Sequence, residues 1–277
     1  MNRGKVGVVF SSGFFGFYAH GGFLAALREL GIGATGYSGA SSGAILAAMA
    51  AAGMSTQEIK DMLFGLRKRD FWDPDPLPLV IKAALCLFKG YSGYVRGKKF
   101  LNLLERLVVR TFEECQRPLV VVATNITENR GEIFTSGPLS LAVAASGAVP
   151  GLFKPVEIGG NLYVDGGLVC KAPVMALAQE TRPEKLIVHF IPSSNLEKPQ
   201  NFFLQKKLTP WHIHGQAVSI ARERAYRMEL ALARARGIEV VEVRTKTPVL
   251  GPGSLERGPE AYYAAKAQTL ERLKGLS

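Results

Sequence analysis

The pentapeptide Gly39-Ala40-Ser41-Ser42-Gly43, running straight into an alanine-rich, charge-free stretch that ends at Gly53, constrains this chain more than any other segment. A G-x-S-x-G sequence takes a chain through a sharp strand-to-helix bend, where side chains larger than glycine at the flanks would clash. Only one register fits. Ser41 has Gly39 and Gly43 on either side, whereas neither Ser38 nor Ser42 has both glycines. Such a bend aims the free amides and positive end of the following helix at the serine, which suits a nucleophile. Residues 43–52 are apolar on every face, so that helix is expected to be buried, with Gly53 as its stop. A small-residue turn leading into a buried helix without any chemistry is the alternative. An apolar lead-in and small neighbours favour the nucleophile, because an elbow needs both.

The remaining elements read as an alternation. Lys5 to Phe10 is a β-branched run ending in Ser-Ser-Gly, a buried strand meeting a turn. From His20 to Leu30, Phe23, Leu27 and Leu30 recur at helical spacing, and Gly31 stands where a C-terminal cap belongs. Ser55 and Glu58 form a capping box for a helix with Ile59, Met62, Leu63 and Leu66 on one face. Phe100, Leu103, Leu104, Leu107 and Val108 form the stripe of another. Leu119 to Thr124 has the continuous apolar character of a buried parallel strand. Further strands are expected at 131–137, 155–167, 185–192 and 238–243, with helices near 173–180, 214–236 and 260–274. Strands alternating with helices predict an α/β fold, a three-layer α/β/α arrangement around a central mostly parallel sheet. No internal repeat, linker or domain boundary interrupts residues 1–277, which read as a single domain. Within it, Asp73-Pro74-Asp75-Pro76 opens a segment, 73–99, in which apolar clusters alternate with Lys82, Lys89, Arg96, Lys98 and Lys99. That pattern fits an ordinary surface helix followed by a loop, or a lid or interfacial helix.

Composition excludes several classes. With 47% hydrophobic and 21% charged residues the chain can bury a sizeable core. Cys86, Cys115 and Cys170 lack CxxC spacing, which argues against a disulfide framework or a zinc knuckle and for a reducing, cytoplasmic setting. No Asp, Glu, His or Cys cluster has metal spacing, so no metal and no cofactor are expected. A net charge of +11 favours phosphate-bearing partners. The basic residues are interleaved with acidic and apolar ones and no nucleic-acid motif is present, so an anionic membrane surface or a lipid ranks above nucleic acid. The apolar run at 6–19 is broken by Ser11, Ser12, Gly13 and Gly16, unlike a secretory signal. The uncharged stretch 31–57 is too rich in Gly, Ser and Ala for a membrane span.

A nucleophilic serine needs a base and an oxyanion hole. Asp165 followed by His189, His212 and His214 offers the serine, acid, histidine order of an α/β-hydrolase. In that fold the elbow follows several strands, whereas Ser41 follows at most two. His20-Gly21-Gly22 imitates a lipase oxyanion motif but lies inside the first helix.

The order of three motifs is more specific. Ser11-Ser12-Gly13-Phe14-Phe15-Gly16 with the helix behind it, the elbow Gly39 to Gly43, and residues 142–167 ending in Asp165-Gly166-Gly167 together resemble the patatin-like phospholipases. The similarity runs from about Gly4 to Gly167 and is weaker beyond. It implies a patatin-like fold and a serine acyl hydrolase cleaving fatty-acyl esters, above all phospholipids. It also implies a Ser41–Asp165 dyad, with Gly166 and Gly167 forming the base turn. The oxyanion hole would comprise Gly13, Phe14, Phe15 and Ser42. Gly16 departs from the family, where a basic residue is usual, and Phe14 and Phe17 replace usual glycines. Phe14, Phe15, Phe17 and Tyr18 either line an acyl channel or pack the core. Asp165 alone would read as a D-G hairpin turn. His20 reads as a structural residue at the helix entry, and His189 as core. The departure in the loop keeps open a catalytically weak lipid- or phosphate-binding protein on the same scaffold, beside the histidine-using hydrolase.

Overall fold

Strand alternation decides the layering in the computed structural model, which describes residues 5–193 and 209–274, the side chains of Trp211 and His212 excepted. His212, one of the histidines offered for a triad, therefore lies outside the described side chains. In β1 (Val6–Phe10), Val8 and Phe10 enter one buried cluster and Val9 another, because successive strand side chains leave opposite faces. The chain continues through α1 (Phe17–Glu29), β2 (Gly36–Ala40), α2 (Ser42–Ala51), α3 (Thr56–Gly65), α4 (Lys68–Phe71) and α5 (Leu77–Leu85). Next come β3 (Gly93–Val95), α6 (Lys98–Leu107), β4 (Leu119–Asn125), β5 (Arg130–Phe134), α7 (Leu139–Ser146), β6 (Gly151–Phe153), β7 (Val156–Ile158) and β8 (Asn161–Val164). The last described elements are α8 (Val174–Thr181), β9 (Lys185–Phe190), α9 (Pro210–Ala235), β10 (Glu239–Arg244) and α10 (Gly258–Lys274).

The main sheet has the order β10-β9-β1-β2-β4-β8-β7, with β5 also on β4. β10, β9, β1, β2 and β4 run parallel, while β5 and β8 pair antiparallel with β4, and β7 pairs antiparallel with β8. Leu119 and Val121 of β4 face the cluster built with α1, α2, α3, α7 and α10, and Val120 and Val122 face the one built with α8 and α9. The sheet is thus sandwiched between two helical layers, as the alternation of elements predicted.

Several boundaries differ from the sequence reading. α1 begins at Phe17, not His20, because Phe17 and Tyr18 are buried with the rest of that helix. β2, Gly-Tyr-Ser-Gly-Ala, has little strand propensity of its own and is held by parallel partners on both sides, β1 and β4. α9 starts at Pro210, whose fixed φ suits a first helical position, so His214, where the helix was expected to begin, lies within it and is exposed. Residues 73–99 include α5, a turn, β3 and the first two residues of α6; β3 pairs with β6 in a small separate sheet.

One buried chain of hydrogen bonds ties the carboxyl ends of the central strands together. His20 Nε2 faces the Ser11 carbonyl at 2.8 Å, so it carries the proton and donates. Its Nδ1 is then an acceptor, 2.7 Å from His189 Nδ1, which must donate. His189 Nε2 in turn accepts from Thr245 Oγ1 at 2.9 Å. Each ring is neutral, and a further proton at His20 Nδ1 would set two donors against each other unless His189 gave up its own. Burial depresses the pKa of both histidines. Because the folded values lie below the unfolded one of about 6.5, stability is present above that pH and lost below it, at up to about 1.4 kcal/mol per pH unit for each ring. Tm is expected to fall steadily when pH is lowered from 7 to 5 at constant ionic strength. A flat Tm over this interval contradicts a neutral pair.

Candidate active site

Ser41 sits between the end of β2 and the start of α2 with φ 55° and ψ −124°, a conformation that side-chain-bearing residues rarely adopt. The flanking glycines explain how the chain reaches it. A Cβ at Gly39 would lie 2.2 Å from the Gly43 carbonyl oxygen, and one at Gly43 would lie 2.5 Å from that of Phe10. Strain of this kind costs about 1–3 kcal/mol and needs support from its surroundings. Ser146, at the end of α7, supplies some of it. Its Oγ accepts the Ser41 amide at 2.9 Å and donates to the Val122 carbonyl at 2.7 Å.

Asp165 follows β8. Its amide donates to Ala148 O (2.9 Å) and its carbonyl accepts Thr124 Oγ1 (2.8 Å), fixing the backbone at both ends. The alternative reading of Asp165-Gly166 as a hairpin turn does not apply: β7 and β8 turn at Gly159–Gly160, both with positive φ. Asp165 leads instead into a 3-10 turn, Gly166–Leu168, in which a Cβ on Gly166 would strike the Val122 carbonyl at 1.8 Å. In the Asp165 carboxylate Oδ1 accepts the Gly167 amide at 2.7 Å and Oδ2 accepts the Ser41 hydroxyl at 2.6 Å. Ser41 and Asp165 are only 8% and 6% exposed. Burial pushes the Asp165 carboxyl above its ordinary range, against those two hydrogen bonds and the charges of Arg222 and Lys171.

Between β1 and α1, Phe15 has φ 52° and Gly16 N closes back onto Gly13 O at 2.8 Å. The amides of Gly13, Phe14 and Phe15 make no hydrogen bond among the described residues. Ser42 Oγ is buried without a partner among the described residues. All four residues border the same space as Ser41. The tight turn therefore offers unpaired donors beside the serine without a basic side chain at Gly16.

That space has two lobes meeting at Ser41. One, about 90 Å³, is apolar: Phe14, Phe15, Phe17, Met49, Phe71 and the α6 stripe Phe100, Leu103, Leu104 and Leu107 line it. Tyr18, by contrast, is packed into the core. The other, about 360 Å³, contains Ser12, Asp165, Lys171, Ile191, Arg222 and Thr245. Both open at the carboxyl ends of the parallel strands, where α/β sheets bind ligands. Burial, with Arg222 alongside, lowers the Lys171 ammonium to about 7. Ser146, Lys171 and Arg222 were not singled out from the sequence, and Ser12 was named only as part of the loop. Only Lys171, a charge inside the apolar run Leu168 to Ala178, carried any signal. Of the histidines, His189 has both ring nitrogens engaged within the core and His214 is exposed, so neither is brought to Ser41. Among the described residues no cluster of His, Cys, Asp or Glu is arranged to hold a metal, and no helix is long and apolar enough to cross a membrane.

Residues 8–178 match the model of the patatin-like phospholipase family. The chain belongs to that family. It is 30% identical over 175 residues to an uncharacterized NTE family protein of Mycobacterium tuberculosis, covering 63% of this chain and 46% of that one. It is 26% identical over 187 residues to the lysophospholipase NTE1 of Cryptococcus neoformans, covering 66% of this chain and 11% of that one. The chain thus spans less than half the length of these curated relatives. The crystal structure of VipD from Legionella pneumophila superposes with a TM-score of 0.48 at 18% identity, covering 97% of this chain and 67% of that one. The stretch matching the patatin-like model includes the glycine loop, Ser41 and Asp165, but ends before α9, so Arg222 lies outside it.

Ser146→Ala would leave the buried Ser41 amide without its acceptor, a loss of about 1–3 kcal/mol in stability. Tm is expected to fall accordingly. An unchanged Tm would show that Ser146 does not support the bend.

Proposed function

We propose that this protein is a serine acyl hydrolase in which Ser41 and Asp165 act as a dyad on fatty-acyl esters of lipids. The observation that carries the reading is the buried 2.6 Å hydrogen bond from Ser41 Oγ to Asp165 Oδ2, placed where an apolar and a polar lobe meet. Asp165 accepts the hydroxyl proton as Ser41 Oγ attacks the ester carbonyl carbon. The amides of Gly13, Phe14 and Phe15 and the amide end of α2 at Ser42 receive the developing oxyanion. Collapse breaks the bond to the alcohol, which leaves with the proton from Asp165, and Ser41 holds the acyl group as an ester. Water then attacks that ester, giving its proton to Asp165. Release of the fatty acid returns the proton to Ser41. A carboxylate of ordinary pKa is a weak base at neutral pH, and the upward displacement caused by burial improves the match. The apolar lobe suits the acyl chain.

Ser41→Ala and Asp165→Asn are each expected to lower kcat/KM on a p-nitrophenyl ester by on the order of 10⁴. A fluorophosphonate probe should label the wild-type chain and not Ser41→Ala. Because Asp165 must be ionised to accept a proton and its pKa is raised, kcat/KM should rise with pH through a single limb lying above the usual aspartate range. Full activity in either variant removes that residue from the chemistry. Absence of labelling in the wild type would favour a lipid-binding protein that does not turn over.

The segment 73–99 supports a contact with an anionic membrane surface as part of this function. Leu77, Leu85 and Leu87 are 70%, 81% and 89% exposed, and Ile81 and Phe88 are exposed too, with Lys82 and Lys89 among them. An apolar projection of this kind marks an interaction site, and the added cations and the chain's net charge of +11 favour an anionic partner. Its root is rigid and joined to the acyl lobe. The Asp73 carboxylate accepts the amides of Gly97, Lys98 and Lys99 at the start of α6, and Lys154 pairs with Asp75 at 2.9 Å. Replacing Leu85 and Phe88 together by Glu is expected to weaken flotation with phosphatidylglycerol-containing vesicles by at least about tenfold, since each side chain contributes about 1.5–3 kcal/mol when buried. Equal flotation of the two proteins would exclude the segment from the contact.

A further inference from the structure

The polar lobe holds two basic side chains, Lys171 and Arg222, that make no hydrogen bond or ion pair with Ser41 or the Asp165 carboxylate among the described residues, although their charges favour its ionised form. Lys171, itself buried, donates from Nζ to the Ser12 carbonyl at 2.8 Å and lies 3.3 Å from Ser193 Oγ. Arg222 enters from α9 and donates from one terminal nitrogen to Ser12 Oγ at 2.6 Å, while its Nε is buried with no partner among the described residues. The nearby carboxylates are committed elsewhere. Asp165 is taken by Ser41 and Gly167, Glu223 by Arg227 and Arg244, and Glu229 by the Met175 amide and Cys170. Buried polar atoms are almost always bonded, so an orphaned guanidinium N–H beside a cavity points to a missing acceptor. A guanidinium fork with an ammonium alongside is the arrangement that phosphate oxygens fit, two or more at a time.

Position narrows the ligand further. Ser41 lies at the junction of the lobes, so an ester whose acyl chain occupies the apolar side directs its alcohol half toward Arg222 and Lys171. We infer that the polar lobe is a subsite for a phosphate group carried on the leaving alcohol, and that Arg222 and Lys171 select phosphate-bearing acyl esters over uncharged ones. This rests on the hydrolase reading above and adds to it the residues that decide the class of alcohol.

The test uses the full chain with two substrates of identical acyl chain, lysophosphatidic acid and monoacylglycerol, presented in the same neutral detergent micelles. The wild type is expected to favour lysophosphatidic acid by at least about tenfold in kcat/KM. Arg222→Gln should reduce that ratio by at least about tenfold, with partial recovery in Arg222→Lys. A ratio near one in the wild type, or one that Arg222→Gln leaves intact, overturns the inference. Inorganic phosphate separates the two sources of the same chemistry. Phosphate that binds without any preference between the two esters would assign the site to the free ion and overturn the headgroup role. If the dyad reading fails and nothing turns over, the Tm of Ser41→Ala still reports on the subsite. Glycerol 3-phosphate should raise it, and adding Arg222→Gln should abolish the rise; no rise in Ser41→Ala overturns the proposal.

Discussion

Everything at the candidate site depends on one short contact, the 2.6 Å hydrogen bond between side chains 124 residues apart in the chain. Neither partner is free to seek the other. Ser41 is held in a strained bend by glycines that allow the backbone to close on itself and by the Ser146 hydroxyl. Asp165 is pinned by Thr124, Ala148 and the Gly167 amide. Ser146 and Gly166 both abut the Val122 carbonyl, so the middle of β4 is the common reference for the bend and the carboxylate. Geometry fixed by rigid strands in this way makes the hydrogen bond a property of the sheet and not of two flexible side chains.

The glycine loop is anchored from the opposite direction. Ser11 receives His20 on its carbonyl, bonds His189 through its amide and accepts the Ile191 amide on its Oγ. Ser12 is tied to Lys171 and Arg222. Only after these two serines do amides become unpaired, at Gly13, Phe14 and Phe15. The buried histidines therefore belong to the site as scaffolding: the tautomers they are forced to adopt hold the loop in register with β9 and β10.

Asymmetry around Ser41 follows from how the layers are covered. On the side of α6 and Phe71 the amphipathic stripe that would ordinarily seal a core leaves a slot, and the exposed segment 73–99 is rooted there. On the side of α9, polar and cationic groups replace the apolar cover. An ester placed across the serine meets hydrocarbon in one direction and positive charge in the other.

Much of this was legible in the residues because it depends on local rules. Strand alternation, the Ser55–Glu58 capping box, Gly31 and Gly53 as helix stops, and the glycine-flanked Ser41 are all short-range patterns. What resisted reading needed partners far away in sequence. β2 became a strand through its two neighbours, the Asp-Gly dipeptide closed no hairpin because its backbone is clamped to β4, and α9 began four residues before its apparent start at a proline. By itself the sequence determined the layered α/β architecture and the bend at Ser41, since periodicity and steric exclusion by side chains act within a few residues. Only the tertiary structure decided that Asp165 reaches Ser41, and that Lys171 and Arg222 share one cavity with an orphaned N–H. Distances between side chains on different strands and helices are set by how the layers pack, which no local pattern encodes.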